Sequence, residues 1–448
     1  MKRFALSAIT LTVLVSLLPA QESFDDTIQK SAERLAKIYY RPLIISDLVR
    51  TARAASTTDT EKAMQAMISS LNDPGSRYFT RAEVQGVDIC TLYPPWYRNR
   101  IGLCLEQEAH DGAIRVRTPI KGGPAFEAGV RTGDQLVLMA RDDPSDPKET
   151  EVISFAGMTA EQVDRQLCGL QNTRLRLELI RDGWPMPFVM RIPKGGDLHP
   201  ETLFGVCRGA DAEWNLVLPA DPQIAYLRID RFSPDTVTEL RRARQKLDNV
   251  NAKGLILDLR FCPGHLLTSA VGVCEEFLPR GRIALVQVQF AEAEEYTLQP
   301  GHIEWSIPLV CLVNGVTASA AEIVAACLQD HHRAVIVGER TAGAGQIQNI
   351  ATFPGNSRVK YTFALFHRPD GRKLSRLPLP GHPEDEWGVT PDRVCLLADK
   401  ETYALRNFLA ARAGIHPESR REPSWEHDFR DRQLEAAVGV LRGQLSMR

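Results

Sequence analysis

The residues of this 448-residue chain best placed to do chemistry lie in Asn314-Gly315-Val316-Thr317-Ala318-Ser319-Ala320-Ala321-Glu322. They follow the apolar run Leu309-Val310-Cys311-Leu312-Val313 and open a helical stretch that runs to Gln329. A serine hydroxyl is a poor nucleophile until a neighbour takes its proton, so Ser319 needs a partner. It also suits a helix N-cap, with Glu322 three residues later completing a capping box, and the two roles are compatible. A second segment, Gly338-Glu339-Arg340-Thr341-Ala342-Gly343-Ala344-Gly345-Gln346-Ile347-Gln348, is glycine-rich. No Gly-Lys-Ser/Thr follows its glycines, so it reads as a turn rather than a phosphate loop. His265, in Cys262-Pro263-Gly264-His265, has an ordinary pKa suited to a base. His331-His332 falls at the end of the Ser319 helix, where the helix dipole favours imidazolium and a solvated end is expected.

These residues need a frame, and strands alternating with helices supply one. Ile224–Ile229, Gly254–Leu259, Leu309–Val313 and Ala334–Val337 read as buried strands, with helical windows at Asp235–Leu247 and Ser319–Gln329. That alternation predicts parallel pairing and an α/β core, with active residues just past the strand ends. Upstream, Phe24 to about Val84 has helical spacing and closes on Asp73-Pro74-Gly75, which reads as turn chemistry. Downstream of Lys400, Leu434, Val438, Leu441 and Leu445 form one apolar stripe, expected to fold back on the core.

Composition narrows the partners. A formal net charge of -2, with Lys and Arg scattered, predicts neither nucleic acid nor an anionic membrane as a partner. Nine cysteines form no disulfide framework, and without a CxxC pair no metal or other cofactor is expected. Lys2-Arg3 followed by an apolar stretch to Ala20 has the layout of a secretory signal peptide. The expectation is an exported, periplasmic or cell-envelope protein with no integral span after cleavage.

Between about Tyr97 and Lys194, short β-branched runs alternate with turns. Their centre, Pro119-Ile120-Lys121-Gly122-Gly123-Pro124-Ala125 through Gly129-Val130-Arg131-Thr132-Gly133-Asp134-Gln135-Leu136, resembles a PDZ domain. Ile101-Gly102-Leu103 would then be its carboxylate-binding loop, and protein or peptide C-termini its ligands.

From about residue 60 to 397 the chain resembles the carboxyl-terminal processing peptidases, or tail-specific proteases. Besides the segments above, the resemblance rests on Gly157-Met158-Thr159, Arg181-Asp182-Gly183, Asp258-Leu259-Arg260, Gln329-Asp330, Pro369-Asp370-Gly371-Arg372 and Gly388-Val389-Thr390-Pro391-Asp392. Together with the readings above it divides the chain into five expected parts: a signal peptide (1–20), a helical region (21–96), a PDZ-like domain (97–195), a ClpP/crotonase-like α/β peptidase core (196–399) and a helical tail (400–448).

Family members use a serine nucleophile, a lysine base and a supporting glutamine. Ser319 takes the first place, Gln348 the third, and Ala344 stands where the lysine would be. Gly264 and the N–H of Ala320 would line the oxyanion hole. His265 replaces a family glycine there, and is the alternative base. Losing the base of such a unit costs on the order of 10⁴ to 10⁶ in kcat. Two functions follow: a C-terminal processing serine peptidase, or a non-catalytic relative that binds chain ends. A second copy of the chain or an active paralogue would be the further partner.

Overall fold

The computed structural model describes residues 23–84, 101–107, 112–119, 123–131, 133–142, 150–167, 174–192, 201–208, 213–289, 291–299, 305–379, 381–414 and 430–447. The expected signal peptide lies outside them. Among the described residues no helix is long and apolar enough to cross a membrane.

The central sheet is built on the expected buried strands. Asp221–Ile229, Gly254–Asp258, Leu309–Val313, Val335–Gly338 and Arg393–Val394 pair in parallel, in that order, with Val217–Leu218 and Leu203–Phe204 antiparallel to the first. Strands buried on both faces read as continuous apolar runs. Leu309–Val313 accordingly shows no exposed residue. One face is covered by helices Thr236–Asn249, Leu267–Phe277 and Ala320–Asp330, which contribute to the largest apolar core. The other face is closed by Arg432–Ser446 through Ala437 and Leu441, so the C-terminal stripe faces the core.

Arg260, fully buried, locks that last helix in place. Its guanidinium meets Asp258 Oδ2 at 2.7 Å on one side, and on the other Asp431 Oδ2 at 2.8 Å and Gln433 Oε1 at 3.2 Å. Asp431 is also the N-cap of the helix. A buried cation is tolerated only with such complete pairing.

A second, antiparallel sheet contains Arg77–Phe79, Ser357–His367, Arg282–Val288 and Glu294–Thr297, with Gln346–Phe353 also paired to Ser357–His367. Two readings are corrected here. The region 24–84 is not helical throughout, because Arg77–Phe79 adds to this sheet after helices Phe24–Ile38, Ile45–Ala55 and Thr60–Ser69. The Asp73 turn is also more than a turn. Asp73 Oδ2 accepts from Tyr39 Oη at 3.1 Å, Ser76 Oγ at 2.6 Å and Thr362 Oγ1 at 2.6 Å, joining the N-terminal helices to the long hairpin.

A third sheet has Leu103–Gln107, Ile114–Pro119, Gln135–Asp142, Arg174–Ile180 and Phe188–Ile192 in sequence order, with Thr150–Ser154 beside Gln135–Asp142. Its two expected polar motifs meet: buried Asp134 accepts from Arg181 Nε and Nη2, both at 2.7 Å, and from Arg131 N at 2.8 Å. The expected mixed α/β fold is therefore the one observed.

Candidate active site

The strand Leu309–Val313 hands over to the helix Ala320–Asp330 through a turn that sequence chemistry explains. Asn314, almost fully buried, accepts at Oδ1 from Phe261 N at 3.0 Å and Val316 N at 3.2 Å. Thr317 Oγ1 donates to Leu259 O at 2.9 Å, and Ala318 N to Cys262 O at 2.9 Å. These bonds clamp the loop after Gly254–Asp258 onto the loop that carries Ser319. The strand ends thus bring two distant segments together, as the parallel sheet predicts.

Ser319 sits at φ 54°, ψ -120°, a conformation an L-residue holds only under constraint. The constraint is Glu322. The capping box forms, and Glu322 Oε2 accepts from Ser319 N at 2.9 Å. The same oxygen accepts from Ala344 N at 2.8 Å, while Oε1 takes Gly343 N at 2.7 Å and Thr341 Oγ1 at 2.6 Å. One buried carboxylate therefore holds Ser319 and position 344 side by side. Burial pushes its pKa up, and the four donors oppose that shift. The sequence showed Glu322 only as a capping residue; its grip on the 341–344 loop has no sequence signal.

Gly264 lies against this joint. A Cβ at Gly264 would come within 2.6 Å of Ala320 N and 2.9 Å of Ser319 Cβ, and its φ is +89°. The two expected oxyanion positions are thus adjacent to each other and to the serine. His265 follows with φ 103°, a backbone that favours glycine, and strain of about 1–3 kcal/mol is expected there. Burial and the Arg231 guanidinium hold its pKa below the ordinary imidazole value, so it is neutral at pH 7, while Asp230 pulls the other way. Its backbone bridges to Phe232.

Gln348 faces the N-terminal helices. Its Nε2 donates to Thr362 Oγ1 at 2.7 Å, which in turn donates to Asp73, and its Oε1 is buried with no hydrogen-bond partner. Gly75 leaves it room, since a Cβ there would come 2.3 Å from Gln348 Nε2. Ile101, Gly102 and Leu103 lie apart, at the edge of the third sheet. Ile101 and Leu103 are buried, Gly102 has φ +77°, and Ile101 O accepts from Ala125 N at 2.8 Å.

The remaining candidates are structural. Asp330 pairs with Arg368 and Arg372. His331 is not merely a solvated end: it is half-buried, and its Nε2 lies 2.8 Å from Arg282 O. Cys262, Cys274, Cys311 and Cys327 are buried free thiols. No cluster of metal-ligating side chains occurs among the described residues.

Comparison with known proteins agrees with this geometry. The sequence profile described as Peptidase family S41 matches residues 223–395, which span the parallel sheet and both loops. A carboxyl-terminal-processing protease of Synechocystis is 27% identical over 336 residues, covering 75% of this chain and 71% of the relative. A carboxy-terminal-processing protease of Bartonella bacilliformis is 28% identical over 402 residues, covering 86% and 83%. The solved photosystem II D1 C-terminal processing protease superposes with a TM-score of 0.50 at 25% identity, covering 84% of this chain and 94% of that one. Sequence, architecture and site geometry thus agree in one likeness: residues 223–395 match peptidase family S41, and the chain as a whole is similar to carboxyl-terminal processing proteases.

Proposed function

We propose that this protein binds the C-terminal regions of other proteins and holds a peptide bond against Ser319, with Gly264 and Ala320 as oxyanion donors. The bond is hydrolysed on the order of 10⁴ to 10⁶ more slowly than by a site with a lysine at position 344. The observation that carries this reading is the shared Glu322 oxygen: it positions Ser319 beside residue 344, yet residue 344 is alanine. The frame of a serine–base pair is intact and the proton acceptor is absent. Alanine favours a second reading on the same frame, in which the protein only binds chain ends, as a scaffold or as a regulator of an active paralogue. The layout of residues 1–20 supports an exported location for either role.

The discriminating assay incubates unfolded casein with the native chain and with the Ala344→Lys, Ser319→Ala and His265→Gly variants. Ala344→Lys is expected to gain hydrolysis, and the Ala344→Lys/Ser319→Ala double variant to lose it. Failure of Ala344→Lys to gain any turnover would overturn the intact-frame reading. Brisk turnover by the native chain that Ser319→Ala abolishes would overturn the slow-site reading, and if His265→Gly abolished it too, His265 would be the base.

A further inference from the structure

Three side chains beside the 341–345 loop are stacked in a way that neither the fold nor acyl transfer requires. The Trp387 indole lies between two guanidinium groups, with Arg340 Cζ 3.7 Å and Arg376 Cζ 3.8 Å from the ring centroid. At such distances each cation must cover a face of the ring, and two cannot share one face. The stack is fixed to the residue before Ala344. Arg376 N donates to Gly343 O at 2.9 Å, and a Cβ at Gly343 would come 2.8 Å from Trp387 Cε3 and 2.6 Å from Arg376 Cγ.

The hydrogen bonds around these cations are unevenly spent. Arg340 donates through Nε and Nη2 to the backbone carbonyls of Trp387 and Asp385. Arg376 is exposed, and its guanidinium forms no hydrogen bond or ion pair among the described residues. One arginine is enough to anchor an indole against this loop. A second adds repulsion, visible in the lowered pKa of Arg340, where burial comes first and Arg376 next, with Asp385 offsetting part. Arginine does not escape such repulsion by losing its proton, so the pair stays dicationic. Its planar forks match a carboxylate.

We infer that Arg376, stacked on Trp387 with Arg340 adding positive charge from the opposite face, forms a subsite for a carboxylate of the peptide bound at Ser319. This rests on the reading that peptide chains are held at that serine. The carboxylate comes either from an acidic side chain or from the free chain end, and binding measurements on the full chain separate the two.

Fluorescein-labelled unstructured peptides carrying Glu near the C-terminus, or Gln instead, are titrated by anisotropy, each with a free and an amidated end. The Glu peptide is expected to bind about five- to tenfold more tightly than the Gln peptide, which is typical of a charge-assisted contact. That ratio should collapse towards one in Arg376→Gln and recover in part in Arg376→Lys. If amidation rather than Glu→Gln costs the affinity, and Arg376→Gln removes that difference, the subsite stands with the chain end as its ligand. Equal binding of all peptides, or a charge preference untouched in Arg376→Gln and Trp387→Leu, overturns the subsite and spares the peptide-holding reading. Absence of binding by every peptide overturns both.

Discussion

At Glu322, a single-atom change tests how the site is held. Both carboxylate oxygens receive two donors each, so the NH₂ group of Glu322→Gln must face two N–H or O–H groups whichever way the amide turns. The cost is expected to be about 3 kcal/mol, from two buried donors left without an acceptor. Urea unfolding should show that loss, and Ala344→Lys/Glu322→Gln should lose the activity gained by Ala344→Lys alone. An unchanged urea midpoint would mean that the carboxylate does not hold the loops. At this scale the sequence was informative about Ser319 and Ala344, because the family resemblance assigns their places residue by residue. It was silent about Glu322 as a clamp, because Thr341 and Gly343 lie about twenty residues away and meet it only after the sheet forms. His265 shows a different limit: its residue type suggests a base, whereas its φ of 103° shows a side chain on backbone suited to glycine.

The strand Ser357–His367 places a second titrating group in the core. His367 is 5% exposed, and its pKa is lowered to about 4, first by burial and then by the nearby His382. Lys373 lowers it further, while Leu365 and Glu386 oppose. A histidine whose folded pKa lies below its unfolded 6.5 binds fewer protons in the native state, so stability is complete above pH 6.5 and falls as the pH drops towards 4. The expected loss is about 3 kcal/mol. Urea midpoints measured from pH 4 to 7 should rise with pH, and His367→Gln should flatten most of that slope; an unchanged slope would remove His367 as its source. Among elements, four of the five parallel strands and the helices over 236–249 and 320–330 were legible, because each carries a continuous apolar run or a clear helical period, whereas Arg393–Val394 is short and exposed. The Gln346–His367 hairpin was not, since Gln346–Phe353 mixes partly buried positions without strict alternation.

Across the molecule, Asp73 ties the N-terminal helices to the strand pair that carries Gln348. Asp73→Ala strands the hydroxyls of Tyr39, Ser76 and Thr362 and is expected to cost about 3 kcal/mol. In the Ala344→Lys background it should also lower kcat more than it raises KM, because Thr362 would no longer fix the Gln348 amide. Equal kinetics with and without Asp73 would separate the seam from the site. Arg260 bonds the last helix to the strand that precedes Gly264. By itself the sequence determined the α/β class, the likeness to the processing peptidases and the absence of a side-chain base at position 344, since these depend on residue type, ordered motifs and apolar period. Only the tertiary structure decided that Glu322 serves both loops, that Gln348 answers to Asp73, and that two arginines share Trp387. Those contacts join segments up to 289 residues apart, and their geometry exists only once the sheets have fixed which backbone groups remain unpaired.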